Sequence, residues 1–226
     1  MHARPTAPER LPRMRLNLSA DEVLTTTRSV RKRLDFDRPV EREIVMECLD
    51  IALQAPTGSN SQGWQWVFIE DADKKQQVRD IYRENFRMYR DMPRPKYEED
   101  DPRAGRQEAV IDSADYLSEN FHLAPLLLIP CLKGKPDVLA GSAGFWGSLL
   151  PAVWSFMLAL RERGIGSAWT SLHLINGGEQ RVAELLGIPF DRYSQAGLFP
   201  IAYTKGTDFK PASRLPASQL VHWDQW

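Results

Sequence analysis

Ala55-Pro56-Thr57-Gly58-Ser59-Asn60-Ser61-Gln62-Gly63-Trp64 closes a helical pattern and opens a strand, and its reading decides the organisation of the chain. Upstream, Ile44, Val45, Cys48, Leu49, Ile51, Ala52 and Ala55 recur at helical spacing, and Pro56 ends that pattern because it has no backbone N–H to donate. Thr57 to Asn60 are turn formers whose backbone presents N–H and C=O groups to a flat heterocycle. Alone, such a loop is an ordinary helix-to-strand connection. A second string changes its weight. Arg28-Ser29-Val30-Arg31 sets two guanidinium forks three apart at a predicted helix end, where they project to one side, and Ser29 adds a hydroxyl donor. Arg28, Arg31, Lys32 and Arg33 without the loop read as a solvated basic turn. With it, they read as the phosphate clamp of a nucleotide site.

Outward from these strings the elements follow by pattern. Ser19 N-caps a short helix with Asp21 and Glu22 in its first turn, and Asp37-Arg38-Pro39 marks a turn. Trp64 to Ile69 reads as a buried strand and about 73–82 as a helix. The stretch 83–106 is highly charged and broken by Pro93, Pro95 and Pro102, which predicts an excursion from the core. A helix over about 108–121 leads to a strand over 125–131. Gly141-Ser142-Ala143-Gly144-Phe145-Trp146-Gly147 is GxxGxxG without alternating βα units, so a dinucleotide fold is rejected. Residues 145–163 form a helix apolar on almost every side, which must be buried against a core, a second subunit, or both. Strands are expected at 166–170 and 194–203 around a helix at 179–186, and the tail with Pro211 and Pro216 is extended. The class is α+β: an arm at 1–18, expected to be flexible, and one domain at 19–226.

The bulk properties exclude several functions. Over 226 residues, 42% hydrophobic and 26% charged is the make-up of a globular domain, and a net charge of -1 lacks the basic excess of a nucleic-acid binder. Cys48 and Cys131 have neither C-x-x-C spacing nor a secretory segment, so both are expected as buried free thiols in a cytoplasmic protein. The apolar run 123–132 is too short to span a bilayer, and no membrane association is expected. His122 and His173 are isolated, so no metal site is expected and both take core or rim roles.

Taken as a pair, the two strings resemble those of the nitroreductase family of FMN-dependent oxidoreductases, which open with an Arg-Ser-x-Arg-like string and carry Ala-Pro-Ser-x-x-Asn-x-Gln-Pro-Trp. The long helix leading into Gly164-Ile165-Gly166, then Trp169-Thr170-Ser171, then Ser213-Arg214-Leu215-Pro216 extend the similarity to the C-terminus. The resemblance implies a central mixed sheet flanked by helices and completed in a homodimer. It also implies FMN as cofactor, NADPH or NADH as donor, and hydride transfer to flavin N5 followed by ping-pong delivery to nitroaromatic or quinone-like acceptors. Position by position, Arg28, Ser29, Arg31 and Arg214 would bind phosphate, and Pro56, Thr57 and Ser59 would line the ring and ribityl chain. Asn60 would meet the ring's polar edge, and Trp169, Thr170 and Ser171 would sit by the isoalloxazine. The excursion would be part of a variable lid, with Phe86, Met88, Tyr89 and Tyr97 as substrate contacts. No catalytic acid or nucleophile is required, since the flavin carries the redox chemistry.

Departures from the family pattern limit what is inherited. Gly63 stands where proline is usual, and Ala212 where some members carry a second phosphate-binding lysine. Trp169-Thr170-Ser171 also resembles a flavin-destroying branch, but that branch has aspartate where this chain has Ser29. A dehalogenase-like branch stays open, because Ser171 can donate to N5, as does a flavin-binding sensor without turnover.

Overall fold

Leu126 to Lys133 forms the central strand, and its side chains alternate between two hydrophobic layers. Leu126, Leu128 and Leu132 enter one cluster, while Leu127, Ile129 and Cys131 enter the other. A strand covered on both faces requires apolar residues at both parities, which accounts for the unbroken apolar run. The computed structural model describes residues 14–98, 101, 103–136 and 139–226. In chain order the elements are α1 (Ala20–Thr26), β1 (Leu34–Asp35), α2 (Arg42–Ala52), β2 (Trp64–Ile69), α3 (Ala72–Arg90), α4 (Gln107–Asn120), β3 (Leu126–Lys133), α5 (Leu139–Gly147), α6 (Leu150–Glu162), β4 (Ile165–Ser167), α7 (Gly178–Leu186), β5 (Tyr193–Gln195) and β6 (Phe199–Thr204).

The sheet runs β1-β6-β3-β2, with β4 against β6 and β5 against β3. Its ladders are antiparallel; an isolated parallel bridge between Ser29 and Ser167 gives it the mixed character expected of the α+β class. On one face, α2 and α6 pack Ile44, Val45, Leu49, Val153, Phe156 and Leu160 against the strands. On the other, α3, α4 and α7 contribute Val78, Ile81, Tyr82, Leu117 and Val182. Cys48 and Cys131 are buried and unpaired by disulfide, and burial pushes their thiols up to about 11 and about 12.

Four boundaries differ from the sequence expectation, each for a physical reason. The helix expected over 145–163 is two helices, broken at Ser148 and Leu149, because Pro151 lacks an N–H for the carbonyl four residues back. The strand expected over 194–203 is split at Ala196-Gly197-Leu198, and Pro130 of β3 sits at that split, accepting from the Ala196 N–H at 2.9 Å. The strand expected over 166–170 is β4 at Ile165–Ser167, followed by a separate bridge between Thr170 and Leu198. Finally, α3 continues to Arg90, so the excursion read as beginning at Arg83 leaves the helix at Asp91.

Ser19 forms the expected cap: its hydroxyl accepts from Glu22 N at 3.3 Å while the Glu22 carboxylate accepts from Ser19 N at 2.7 Å. Of the arm at 1–18, residues 1–13 lie outside those described, while Asn17 N and Leu18 N donate to the Glu162 carboxylate at the end of α6. The helical stretch Gly141–Glu162 is long and apolar enough to cross a membrane by length and composition. Here Ala152, Val153, Phe156 and Leu160 make its inner face part of the core.

Candidate functional site

Arg28, Ser29, Arg31 and Arg214 line one cleft of about 1280 Å³. Arg28 directly follows the C-cap of α1, which stops at Thr26, as expected, while Arg31 lies beyond the helix past Ser29, which is bridged to Ser167. Arg28 donates to the carbonyls of Thr25, Thr27 and Lys210, and Arg214 to that of Ser213. Among the described residues, no carboxylate pairs with Arg28, Arg31 or Arg214. Burial lowers the pKa of Arg28, and the nearby Arg214 charge lowers it further; burial also lowers that of Arg31. Behind Arg28 lies a void of about 10 Å³, room for one water, lined by Arg161. Arg161 is 6% exposed and its Nη1 has no hydrogen-bond partner. Converging donor-only groups without a counter-ion form a site for an anion with several acceptor oxygens, so the cluster fits the phosphate of a nucleotide.

Trp169, Thr170 and Ser171 are not among the residues lining that cleft, but their segment is held from two sides. Tyr82 Oη lies 2.7 Å from Thr170 Oγ1, and Thr170 exchanges backbone bonds with Leu198 at 3.1 and 2.7 Å. Trp169 Nε1 donates to the Ala196 carbonyl at 3.1 Å and its ring packs on Phe199. Gly197 makes this possible: its φ is +152°, and a Cβ there would fall 2.4 Å from Trp169 Nε1. Asn85, buried on α3, donates to the carbonyls of Leu172 and Ile175, fixing the chain just beyond Ser171. Ser171 itself is exposed.

Pro56, Thr57, Ser59 and Asn60 do not join this cleft within the single chain. Their loop is fastened to the α5–α6 break, where Gly58 N donates to Ser148 Oγ at 2.9 Å and Trp64 Nε1 to the Ser148 carbonyl at 2.5 Å. Ser59, Asn60 and Gln62 have φ of 52°, 51° and 47°, an unusual run of left-handed residues outside glycine. Residues held in sparsely populated backbone regions cluster at active sites and ligand clamps. Pro56, Ser59 and Asn60 are exposed.

Of the expected substrate contacts, Phe86, Tyr89 and Tyr97 line the cleft; Met88 instead accepts from Asn176 Nδ2 at 3.8 Å. Tyr82, Asn85, Trp154 and Arg161 were not marked by the sequence reading. Asn85 carried a signal: a polar residue inside the stripe Val78, Ile81, Tyr82 and Phe86. His173 is fully buried with both ring nitrogens unpartnered. Burial pushes its pKa down to about 4. Among the described residues, no group of three or more His, Cys, Asp or Glu could hold a metal ion.

The model of the nitroreductase family matches residues 24–203, spanning both strings, the central strand and the Trp169 segment. The chain belongs to the nitroreductase family. At that level it is a flavoprotein oxidoreductase. Its nitroreductase-like fold is shared with solved structures. An FMN and NADPH-dependent nitroreductase from Sphigopyxis sp. strain HMH aligns with a TM-score of 0.65 at 24% identity, covering 92% of this chain and 100% of that one. An oxidized iodotyrosine deiodinase bound to FMN and 3-iodo-L-tyrosine aligns with a TM-score of 0.65 at 22% identity, covering 91% and 99%. In sequence, an iodotyrosine deiodinase from Thermotoga neapolitana is 26% identical over 146 residues, 64% of this chain and 69% of that protein.

Proposed function

We propose that this nitroreductase-family protein is an FMN-dependent oxidoreductase passing electrons from NADPH or NADH to nitroaromatic or quinone-like acceptors, donor and acceptor occupying one open face in turn. The observation that carries the reading is that Arg28, Arg31 and Arg214 line one cleft with no carboxylate partner among the described residues. When bound, FMN supplies the two-electron redox chemistry, and the protein supplies orientation and electrostatics. Arg28, Ser29, Arg31 and Arg214 hold the phosphate. Trp169, Thr170 and Ser171, fixed by Tyr82 and Gly197, border the ring, and the exposed Ser171 hydroxyl is the donor nearest in kind to what N5 accepts.

The ring site is completed in a homodimer, where the Pro56–Asn60 loop of a second copy meets the cations and Trp169 segment of the first. Two features support this. The loop is strained and exposed, away from the cleft of its own chain. Less than half of the apolar window in Gly141–Glu162 is buried by the single chain, and Trp154, Leu220, Trp223 and Trp226 are exposed.

A dehalogenase-like reading is kept as second choice, supported by the Thermotoga relative and the Ser171 hydroxyl. The deciding experiment is an anaerobic spectrum of purified protein with FMN, taken before and after NADPH or NADH, then with a nitroaromatic, a quinone and 3-iodotyrosine. Flavin bands that bleach with nicotinamide and return with the first two acceptors are expected. Return with 3-iodotyrosine alone moves the assignment to dehalogenation; bound flavin that neither nicotinamide reduces moves it to a binding protein or to a dehalogenase fed by another reductant.

A further inference from the structure

A second set of cations lines the same cleft. Arg90, Arg94, Arg103 and Arg106 come from the end of α3 and the stretch before α4, and Asp115 is the one carboxylate among the described lining residues. Asp101 engages Arg103 with 2.9 and 2.6 Å contacts, and Asp115 lies 3.8 Å from Arg90. Among the described residues, Arg94 and Arg106 have no carboxylate within salt-bridge distance. They line the same cleft as Tyr89, Tyr97, Val110 and Ile111, so positive charge shares it with aromatic and aliphatic surface.

A phosphate monoester carries about −1.5 to −2 charge at neutral pH. Arg28, Arg31 and Arg214 already match it, which leaves the cations between α3 and α4 without a role in cofactor binding. A protein of net charge -1 that gathers several arginines in one concavity with a single carboxylate among its described lining residues focuses a positive field there.

We infer that Arg94 and Arg106 form a second anion subsite that selects the acceptor, and that the preferred acceptor is an aromatic compound carrying a carboxylate. The guanidinium forks take the carboxylate, while the aromatic body lies against Tyr89 and Tyr97. The inference rests on the oxidoreductase reading above and adds its substrate class. Phosphates of the nicotinamide donor share the anionic chemistry, so the test separates the two.

The test uses FMN-loaded, full-length protein without donor, so that no turnover occurs, and follows flavin absorbance during titration with 4-nitrobenzoate and its neutral analogue 4-nitrobenzamide. Arg94 and Arg106 are exposed, so Arg94→Gln/Arg106→Gln leaves the fold intact. Nitrobenzoate is expected to bind roughly tenfold or more tightly than the amide at low salt. The double variant erases that advantage without changing amide affinity. Equal affinities in the wild type, or an advantage that survives in the variant, overturn the inference. So does a variant that loses only NADP⁺ affinity, which assigns the pair to the donor. A chain that takes up no FMN fails before any acceptor is added and removes the oxidoreductase reading with it, whereas FMN-loaded protein with equal affinities removes the subsite alone.

Discussion

Tyr82 and Thr170, 88 positions apart, share a hydroxyl–hydroxyl hydrogen bond of 2.7 Å. The bond joins the helix that leads into the excursion to the segment that carries Ser171, so cleft wall and ring border are fixed to each other. Burial raises the Tyr82 pKa, and the phenol remains neutral and able to donate.

Removing that bond should loosen the ring border and spare the phosphate cations. Tyr82→Phe is expected to destabilise the fold by about 1–2 kcal/mol, as a part-buried Thr170 hydroxyl loses its partner. Thr170→Val should do the same, and the double variant should cost less than the sum. Urea unfolding of the four proteins measures the coupling; strictly additive losses would show that the bond contributes nothing.

Gly197 tests the same segment from the other side. An alanine there combines a φ of +152° with a Cβ 2.4 Å from Trp169 Nε1, so backbone and indole cannot both keep their places. Gly197→Ala should lower the melting temperature by roughly 5 °C or more and weaken FMN binding. A variant with unchanged melting and unchanged cofactor affinity would mean that Trp169 is free to move without consequence.

What the sequence revealed of this arrangement follows the range of the forces involved. Trp64 to Ile69 was legible because an apolar run bounded by turn formers has few alternatives as a strand. The arginine string was legible because guanidinium chemistry is local to the side chain. The end of α3 was not: the charges at 83–90 resemble a loop unless Tyr82, Asn85 and Phe86 are known to be buried on one face. Pro151 did signal the break between α5 and α6, but the surrounding apolar density masked it. Arg214 was found only through the family resemblance, since nothing within 213–216 says that it returns to Arg28. Nor could the sequence tell whether the Pro56–Asn60 loop and the arginine string meet in one chain, because that depends on a surface beyond the chain's own packing.

His173 gives the protein a titration of its own. Its pKa falls from 6.5 to about 4 on burial, so the unfolded chain takes up a proton below 6.5 while the native one does not until about 4. Stability is therefore complete above 6.5 and is lost as pH falls through this window, with a slope approaching about 1.4 kcal/mol per pH unit. Urea unfolding between pH 7 and pH 4 should show the decline, and His173→Leu should flatten it. An identical slope in the variant would assign the loss to other groups.

Composite assembly predicts an outcome that a self-contained site does not. One chain carries Arg28→Ala/Arg31→Ala, which removes the phosphate cations. The other carries Ser59→Val/Asn60→Val, which forces β-branched residues onto left-handed backbone and distorts the loop. Each should lose FMN binding when expressed alone. In a two-fold mixed dimer, one site combines both defects, while the other combines the intact cations of one chain with the intact loop of the other. Co-expressed, differently tagged chains purified as mixed dimers should therefore recover flavin at one site per dimer, read from absorbance against protein concentration. If the sites lay within single chains, every site in the mixture would keep its defect and no flavin would return.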